Sequence, residues 1–545
     1  MAVVDYSNKR FLIVDNVKPS RDTLKHLAQS LNAARADTSH HPRHVVSMCK
    51  NMDYDIILLG YDLGEGQRNG QQILEELRVN DIISRQCIVI MVTAEVSQAM
   101  VLAALEHKPD EYLSKPFAMS ELLKRLHRCY LKKRAMAEIY TAQDNDEPEK
   151  VIELCDLTLR GSLSYRSECL GIKARQLFEL GRYEEAKEIY HEQQSTPNCQ
   201  WATIGLGKIA LMQDQLDVAE QYFQSVIEES PRYLSTYDWL AKTYQKQHKY
   251  EDAEEILERA LMISPRSVGR LKQYADLCLE NEHFDKATDA YQKTNDLAYH
   301  SIHHKPENAL KLARSLVEYS SELDPSEIKK MNTKVFKALA VMNREFTKSE
   351  FKIQSHLLSA CLFTNSKEQS SAREMLNKAE TLLETNLDEI SPDSMVEIAK
   401  SFVKLNKKDK AQSVLAVLSQ QYPEDLELMN EVDKFSDVPM NKDDREEAQK
   451  ALEVGISLYK EKNYSLAIDK LNEAFKLFPT HQGIKLNLLQ VLLTSCENNP
   501  GNTAHLQQAE IIIGALDDLT QGDSAYIRFE KLKEKYNSLY EQMME

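Results

Sequence analysis

One spacing constrains this chain more than any other feature. Ala219, Ala253 and Ala287 recur at a fixed step, and Leu216, Tyr250 and Phe284 keep the same step. So do Phe223, Leu257 and Tyr291, and Pro231 with Pro265. A step of about 34 residues holds two short helices and two turns. The residue types fit that geometry: a small Ala lets two helices approach, an aromatic side chain fills the adjoining groove, and Pro ends the second helix. Leu206-Gly207 and Leu240-Ala241 supply small residues on the first helices. The pattern begins earlier with Gly181, Tyr183, Ala186 and Tyr190. It returns as Ala399, Ala411 and Pro423, and again as Gly455, Tyr464, Ala467, Ala474 and Pro479. Between 298 and 390 helical periodicity persists (ALKLARSLVEY, VFKALAVM, HLLSACLF), but the step from Ala372 to Ala411 is longer, which predicts longer, irregular helix pairs. Asn430–Arg445 reads as a polar, Pro-containing joint, and the helices up to Glu545 are expected to cap the array.

Residues 1–134 alternate strand and helix signals instead. Arg10–Asp15, Arg35–Thr38, Asp55–Leu59, Cys87–Val92 and Glu111–Ser114 read as short strands. Pro19–Leu31, Pro42–Asn51, Gly70–Val79, Ser97–His107 and Met119–Arg134 read as helices. Five such units imply one α/β domain with a doubly wound five-stranded parallel sheet. In that architecture chemistry sits in the loops beyond the carboxyl ends of the strands. The third strand ends at Gly60, which has no side chain. The glycines that follow, Gly64, Gly66 and Gly70, miss the GxGxxG spacing and come after the wrong strand for a nucleotide site. The expected divisions are 1–134, 135–430 and 431–545.

The stretches FLIVDN, ILLGYDLG, MVTAE and YLSKPF resemble the four signature stretches of CheY-like receiver domains, over residues 8–130. The resemblance implies a flavodoxin-like fold. It also implies a family chemistry in which an acidic pair at the first strand tip and an aspartate at the third hold Mg²⁺. That aspartate accepts a phosphoryl group from a histidine kinase, and a Thr/Ser and a Lys grip the phosphate. Asp15 matches one acid of the pair, and Asn16 stands where the other is usual. Gly60 stands at the acceptor position. Thr93 matches the hydroxyl, Tyr112 the switch aromatic and Lys115 the lysine, with Lys115-Pro116 at the family's cis bond. Glycine cannot form an acyl phosphate, and Mg²⁺ prefers charged oxygens, so Asp15 is at most a residual Mg²⁺ ligand and no cofactor is expected. Asp62, two positions beyond the tip, is an alternative acceptor; its other reading is a turn cap. Thr93 and Tyr112 have ordinary core packing as their other reading.

The recurring helix-pair pattern resembles the tetratricopeptide repeat (TPR), which implies an all-α solenoid with a concave groove lined by first helices. In that frame Arg175, Lys208 and Lys242 occupy equivalent groove positions, with Asp276 next. Phe178, Trp201, Gln245 and Lys272 also fall on the inner side. Such a basic stripe could receive an acidic peptide or helix; the other reading is a solvated face, and for Trp201 a place in the core.

Net charge is −17, but residues 1–134 carry +3 and the remainder −20. This acidic bulk argues against nucleic acid as a partner. Nine scattered cysteines without a CxxC pair argue against disulfides and structural zinc. The start is too short in apolar residues for a signal peptide and no membrane-length apolar span follows, so a reducing cytoplasm is expected. The groups His40, His41, His44 and His300, His303, His304 lack a further ligand at metal-site spacing. No nucleophile–base constellation stands out. The arrangement resembles auxiliary receiver–TPR response regulators. It implies a non-enzymatic bacterial two-component adaptor that engages a sensor histidine kinase, through the surface around Pro19–Leu31, or a cognate response regulator. Its alternatives are a phospho-switch through Asp62 and a scaffold outside phosphosignalling.

Overall fold

The computed structural model describes residues 4–64, 66–94, 106–161, 165–197, 199–422, 425, 428, 442–478, 481–498, 503–514, 516 and 526–544. The chain divides into two compact units, Met1–Leu323 and Asp324–Glu545.

The first unit opens with five strands: β1 (Arg10–Val14), β2 (Arg35–Ser39), β3 (Ile56–Gly60), β4 (Ile88–Thr93) and β5 (Glu111–Ser114). They form one parallel sheet in the order β2-β1-β3-β4-β5. Strands covered on both faces must be apolar throughout, and the side chains alternate between two cores. Phe11, Ile13, Ile56, Leu58, Ile90 and Val92 pack with Leu24, Leu27, Leu122 and Leu126. Leu12, Val14, Ile57, Leu59, Val89 and Met91 pack with Val45, Val46, Ile73, Leu74 and Leu77. The covering helices are α1 (Lys18–Ser30), α2 (Pro42–Asn51), α3 (Gly70–Val79) and α4 (Met119–Ala135). Gly60 closes β3 rather than following it. The helix expected over Ser97–His107 falls, but for its last two positions, outside the described residues.

Helix α4 runs into the helix Ala137–Asp144, with only the buried Met136 between them. Helix pairs then follow at Arg166–Glu179 with Tyr183–Gln193, and Gln200–Met212 with Leu216–Glu229. Next come Ser235–Lys246 with Tyr250–Ile263, and Val268–Glu280 with Phe284–Ala298. Ala219, Ala253 and Ala287 have no exposed surface. The small residues on Gln200–Met212 accept rings from both neighbouring second helices. A Cβ on Gly205 would lie 2.3 Å from the Tyr190 ring, and one on Gly207 2.6 Å from the Phe223 ring. Each turn between paired helices has one left-handed residue: Gly181, Asp214, His248 and Glu282, all with φ between 59° and 73°. Pro231 and Pro265 follow the ends of second helices.

The second unit begins with longer helices, Pro325–Glu345, Ser349–Asn365 and Gln369–Asn386. Gln369–Asn386 has 18 residues where Leu216–Glu229 has 14, and Pro392–Lys404 has 13 where Ser235–Lys246 has 12. Those additions account for the widened spacing between Ala372 and Ala411. Ile353, Leu357, Ala379, Phe402 and Leu415 form the core there. The helices Lys442–Lys460, Tyr464–Leu477, Gln482–Asn498, Thr503–Gly514 and Tyr526–Met544 share another core around Leu471, Leu489, Leu492 and Phe529. Pro423, Pro479 and residues 430–441 of the expected joint lie outside the described residues. No helix among the described residues is long and apolar enough to cross a membrane.

Replacing Gly207 with Val is expected to force the Phe223 ring out of place. Overpacking of this kind costs about 1–3 kcal/mol, so thermal unfolding followed by circular dichroism should shift down, and a Phe223→Ala change should relieve part of the clash.

Candidate functional site

The carboxyl ends of β1, β3, β4 and β5 bring together Asp15, Gly60, Thr93 and Lys115. Asp15 follows β1 and is 2% exposed. Its Oδ2 accepts hydrogen bonds from Lys115 Nζ and, at 2.8 Å, from Ser20 Oγ, and its Oδ1 accepts one from Val17 N at 2.9 Å. The Arg21 guanidinium donates to the carbonyls of Asp15 and Asn16 at 2.7 and 3.0 Å. Asn16 itself is exposed. One carboxylate is therefore flanked by two fixed cations, and its lone pairs are already engaged.

Beside it, the tip of β3 is closed by apolar and backbone atoms. A Cβ on Gly60 would stand 3.0 Å from the Val14 carbonyl and 3.3 Å from the Leu63 Cδ2. Leu63 is buried, so an isobutyl group lies against the strand tip. Gly70 approaches so closely that a Cβ there would lie 2.1 Å from the Gly60 carbonyl, and its N–H donates to the Tyr61 carbonyl at 2.8 Å. Helix α3 is fixed at that contact by a reciprocal cap, in which Asn69 Oδ1 accepts from Gln72 N and Gln72 Oε1 accepts from Asn69 N. Mg²⁺ does not fit this donor set: a divalent cation would meet one neutralised carboxylate and two positive charges. Asp62 is exposed, and its Oδ1 accepts from Gly64 N at 2.9 Å, which closes a turn. Thr93 is buried, Tyr112 is partly buried against the Met91 side of the core, and the Lys115-Pro116 bond is cis.

A second group of charges lies on the inner helices of the repeats. Trp239, on Ser235–Lys246, is approached by two ammonium groups, Lys208 Nζ at 4.5 Å and Lys242 Nζ at 4.7 Å from the ring centre. Arg175 and the receiver residue Lys108 act on Lys208 as well. Burial first, then the charges of Arg175, Lys108 and Lys242, push the Lys208 amine down to about 8. Next along, Arg270 is buried to 3% side-chain exposure. It makes a bidentate bond to Asp238 at 2.7 and 2.9 Å and reaches Glu106 of the receiver at 3.2 Å. Within the same unit, α3 meets the end of Phe284–Ala298, where Gln72 Nε2 donates to the Leu297 carbonyl at 3.2 Å, and the segment after it, where His303 Nε2 lies 2.6 Å from Glu75 Oε1.

The structure thus distributes the inner-face residues unevenly. Arg175, Lys242, Gln245 and Lys272 are exposed. Phe178 packs on Tyr183, with ring centres 5.6 Å apart, and Trp201 packs on Tyr190 and on the bare face of Gly171. Asp276 accepts from Lys311 and from the Tyr291 hydroxyl. Trp239, Arg270 and Lys108 were not singled out by the sequence pattern. The first sits one position before a core Leu, and the others are single charges in a chain rich in them. His303 is taken up by Glu75, and His40, His41 and His44 stack on one another. Among the described residues no group of three or more His, Cys, Asp or Glu could hold a metal ion.

Comparison with known proteins matches the response regulator receiver domain family to residues 11–127. Tetratricopeptide repeat families match residues 234–267 and 393–425. The chain is 24% identical over 135 residues to the protein O-mannosyl-transferase TMTC1 of Homo sapiens, a match over 24% of this chain and 15% of that protein's length. It is 23% identical over 130 residues to the chemotaxis protein CheY-3 of Vibrio cholerae, covering 24% of this chain and 98% of that one. Among solved structures, the BeF3-activated DrrB receiver domain is 21% identical, with a TM-score of 0.20, 22% of this chain covered and 97% of that chain. An N-terminal flavodoxin-like receiver fold followed by TPR-type helices accounts for these matches and for the topology above.

Two outcomes follow from the geometry. Gly60→Asp should lower stability by about 1–3 kcal/mol through crowding against Leu63 and the Val14 carbonyl, and adding Leu63→Ala should recover part of it in a denaturant melt. At pH 8, close to the lowered value of its amine, Lys208 is substantially neutral, and a limiting acylating reagent should label it first. Peptide mass spectrometry reads this directly.

Proposed function

We propose that this chain is a non-enzymatic regulatory adaptor of a bacterial two-component system. Its receiver is not phosphorylated at the third strand tip, and it binds a sensor histidine kinase or that kinase's response regulator, modulating autophosphorylation or phosphotransfer. Residues 1–134 act as the recognition module and the repeats as the interaction scaffold, in the cytoplasm.

The observation that carries this reading is the state of the strand-tip pocket. Gly60 removes the acceptor carboxylate, Leu63 lies against the strand tip, and Asp15 is neutralised by Lys115 with Arg21 alongside. The outer face of α1 is intact, with Asp22, Thr23, His26 and Gln29 exposed and Leu24, Leu27 and Ala28 holding it to the sheet. A receiver with that face and without an acceptor occupies a kinase without draining phosphate from it, and so competes with the phosphorylated partner.

Incubation with acetyl phosphate and Mg²⁺ should give no phosphoryl mass gain by intact-protein mass spectrometry; a gain abolished by Asp62→Ala would replace this reading with a phospho-switch. Affinity capture of the intact protein from its own cells should enrich a sensor kinase or response regulator, and an Asp22→Lys/His26→Glu variant should lose it. Capture of non-signalling proteins alone, undisturbed by those changes, would overturn the adaptor reading.

A further inference from the structure

Four cations gather at one place on the inner face of the repeats. Arg175, Lys208 and Lys242 recur at the step of the repeats, to within one position, so each takes the same place on a successive inner helix. Those three helices, Arg166–Glu179, Gln200–Met212 and Ser235–Lys246, pack directly on one another. Lys108 is held beside Arg175 and Lys208 by the receiver. Among the described residues none of the four makes an ion pair, whereas Arg270 is matched by Asp238 and Glu106, and Asp276 by Lys311. The Trp239 ring keeps two of the ammonium groups in place. Crowding like charges in excess of the nearby acid, Glu179, costs free energy, and an anionic ligand would offset it.

We propose that this cluster binds an acidic peptide segment of a partner protein, laid in extended form across the three inner helices, with its carboxylates in a three-residue rhythm. The rhythm follows from two spacings. Adjacent packed helices lie about 8–10 Å apart, and a chain in the polyproline II conformation advances about 3.1 Å per residue with three residues per turn, so every third side chain returns to the same face and meets the next cation. A nucleic acid is disfavoured, because the cluster is confined and Glu106, Glu179 and Asp238 border it in a chain of net charge −17. Lys108 makes the site composite: the receiver supplies one of its four charges, so the peptide and the receiver–repeat contact support each other. The inference concerns the repeats' ligand and stands apart from the kinase-binding role of α1.

The test uses the full chain and two labelled peptides of identical composition. One has glutamate at every third position, separated by serine and threonine; the other has the glutamates contiguous. Fluorescence anisotropy at low salt should show the spaced peptide binding about tenfold more tightly, with affinity falling as salt rises. A Lys208→Glu/Lys242→Glu variant should lose about tenfold or more, and Lys108→Ala should weaken binding with circular dichroism unchanged. The chain has only two tryptophans, so in a Trp201→Phe protein the emission belongs to Trp239 and should change as peptide draws the ammonium groups away. Equal affinity for the two peptides, or undiminished binding by the charge-reversed variant, overturns the peptide site. Undiminished binding by Lys108→Ala overturns its composite nature. Because neither peptide contacts α1, these outcomes are independent of kinase capture.

Discussion

Arg270 organises the middle of the first unit. Its guanidinium is almost wholly buried and spans two repeats and the receiver, forking onto Asp238 and extending to Glu106. A buried ion pair of this kind contributes little net stability relative to an apolar substitute, because desolvation of the charges consumes most of the Coulomb gain. Its contribution is geometric. A planar fork with five donors accepts few arrangements, so it fixes the register between the helices Ser235–Lys246 and Val268–Glu280 and the place where the receiver meets them. Glu106 and Lys108 are two positions apart, so the bond that holds one sets the position of the other. The cation cluster around Trp239 depends on that placement.

The strand-tip pocket has a comparable internal balance. In an open α/β sheet the loops beyond the carboxyl ends are the natural reaction site because backbone and side-chain groups converge there. Here the convergence is present and its charge is spent internally. Asp15 takes Lys115 and Ser20, Arg21 takes the carbonyls of Asp15 and Asn16, and Gly70 lets the start of α3 settle onto the Gly60 carbonyl where a side chain would have held it off. At position 60 itself, the space beside the bare Cα is bounded by Leu63 and the Val14 carbonyl.

Much of this was legible in the sequence, for physical reasons that can be named. Strands such as ILLG and IVIMVT are buried on both faces, so their apolar runs stand out, and four of the five helices after them match within a position or two. The repeats were legible because Ala219, Ala253 and Ala287 are fully buried where packed helices favour a small residue. The left-handed turn residues were not: Gly181 signals such a conformation, but Asp214, His248 and Glu282 adopt it under tertiary constraint. Arg270 was hidden for a different reason. Its partners lie 32 and 164 residues away, and no local pattern marks a long-range ion pair. Leu63 read as loop, since only the fold shows that it lies against the Gly60 tip.

These two balances bear on how such a receiver could respond to anything. A ligand shifts a conformational equilibrium only by its difference in affinity between the states. An acyl phosphate would act at a pocket whose one carboxylate is already paired, and it has no oxygen there to form on. The contact between receiver and repeats is different in kind. Lys108 adds charge to a cluster in which cations outnumber the nearby acid, Glu179, while Glu106 anchors the same segment to Arg270. A polyanion that engaged Lys108 together with Lys208 would bind the docked arrangement more tightly than an undocked one, so its binding energy would act on the junction. The strand-tip charges are thus paired within their own pocket, whereas at the junction end Lys108 and Lys208 have no ion-pair partner among the described residues.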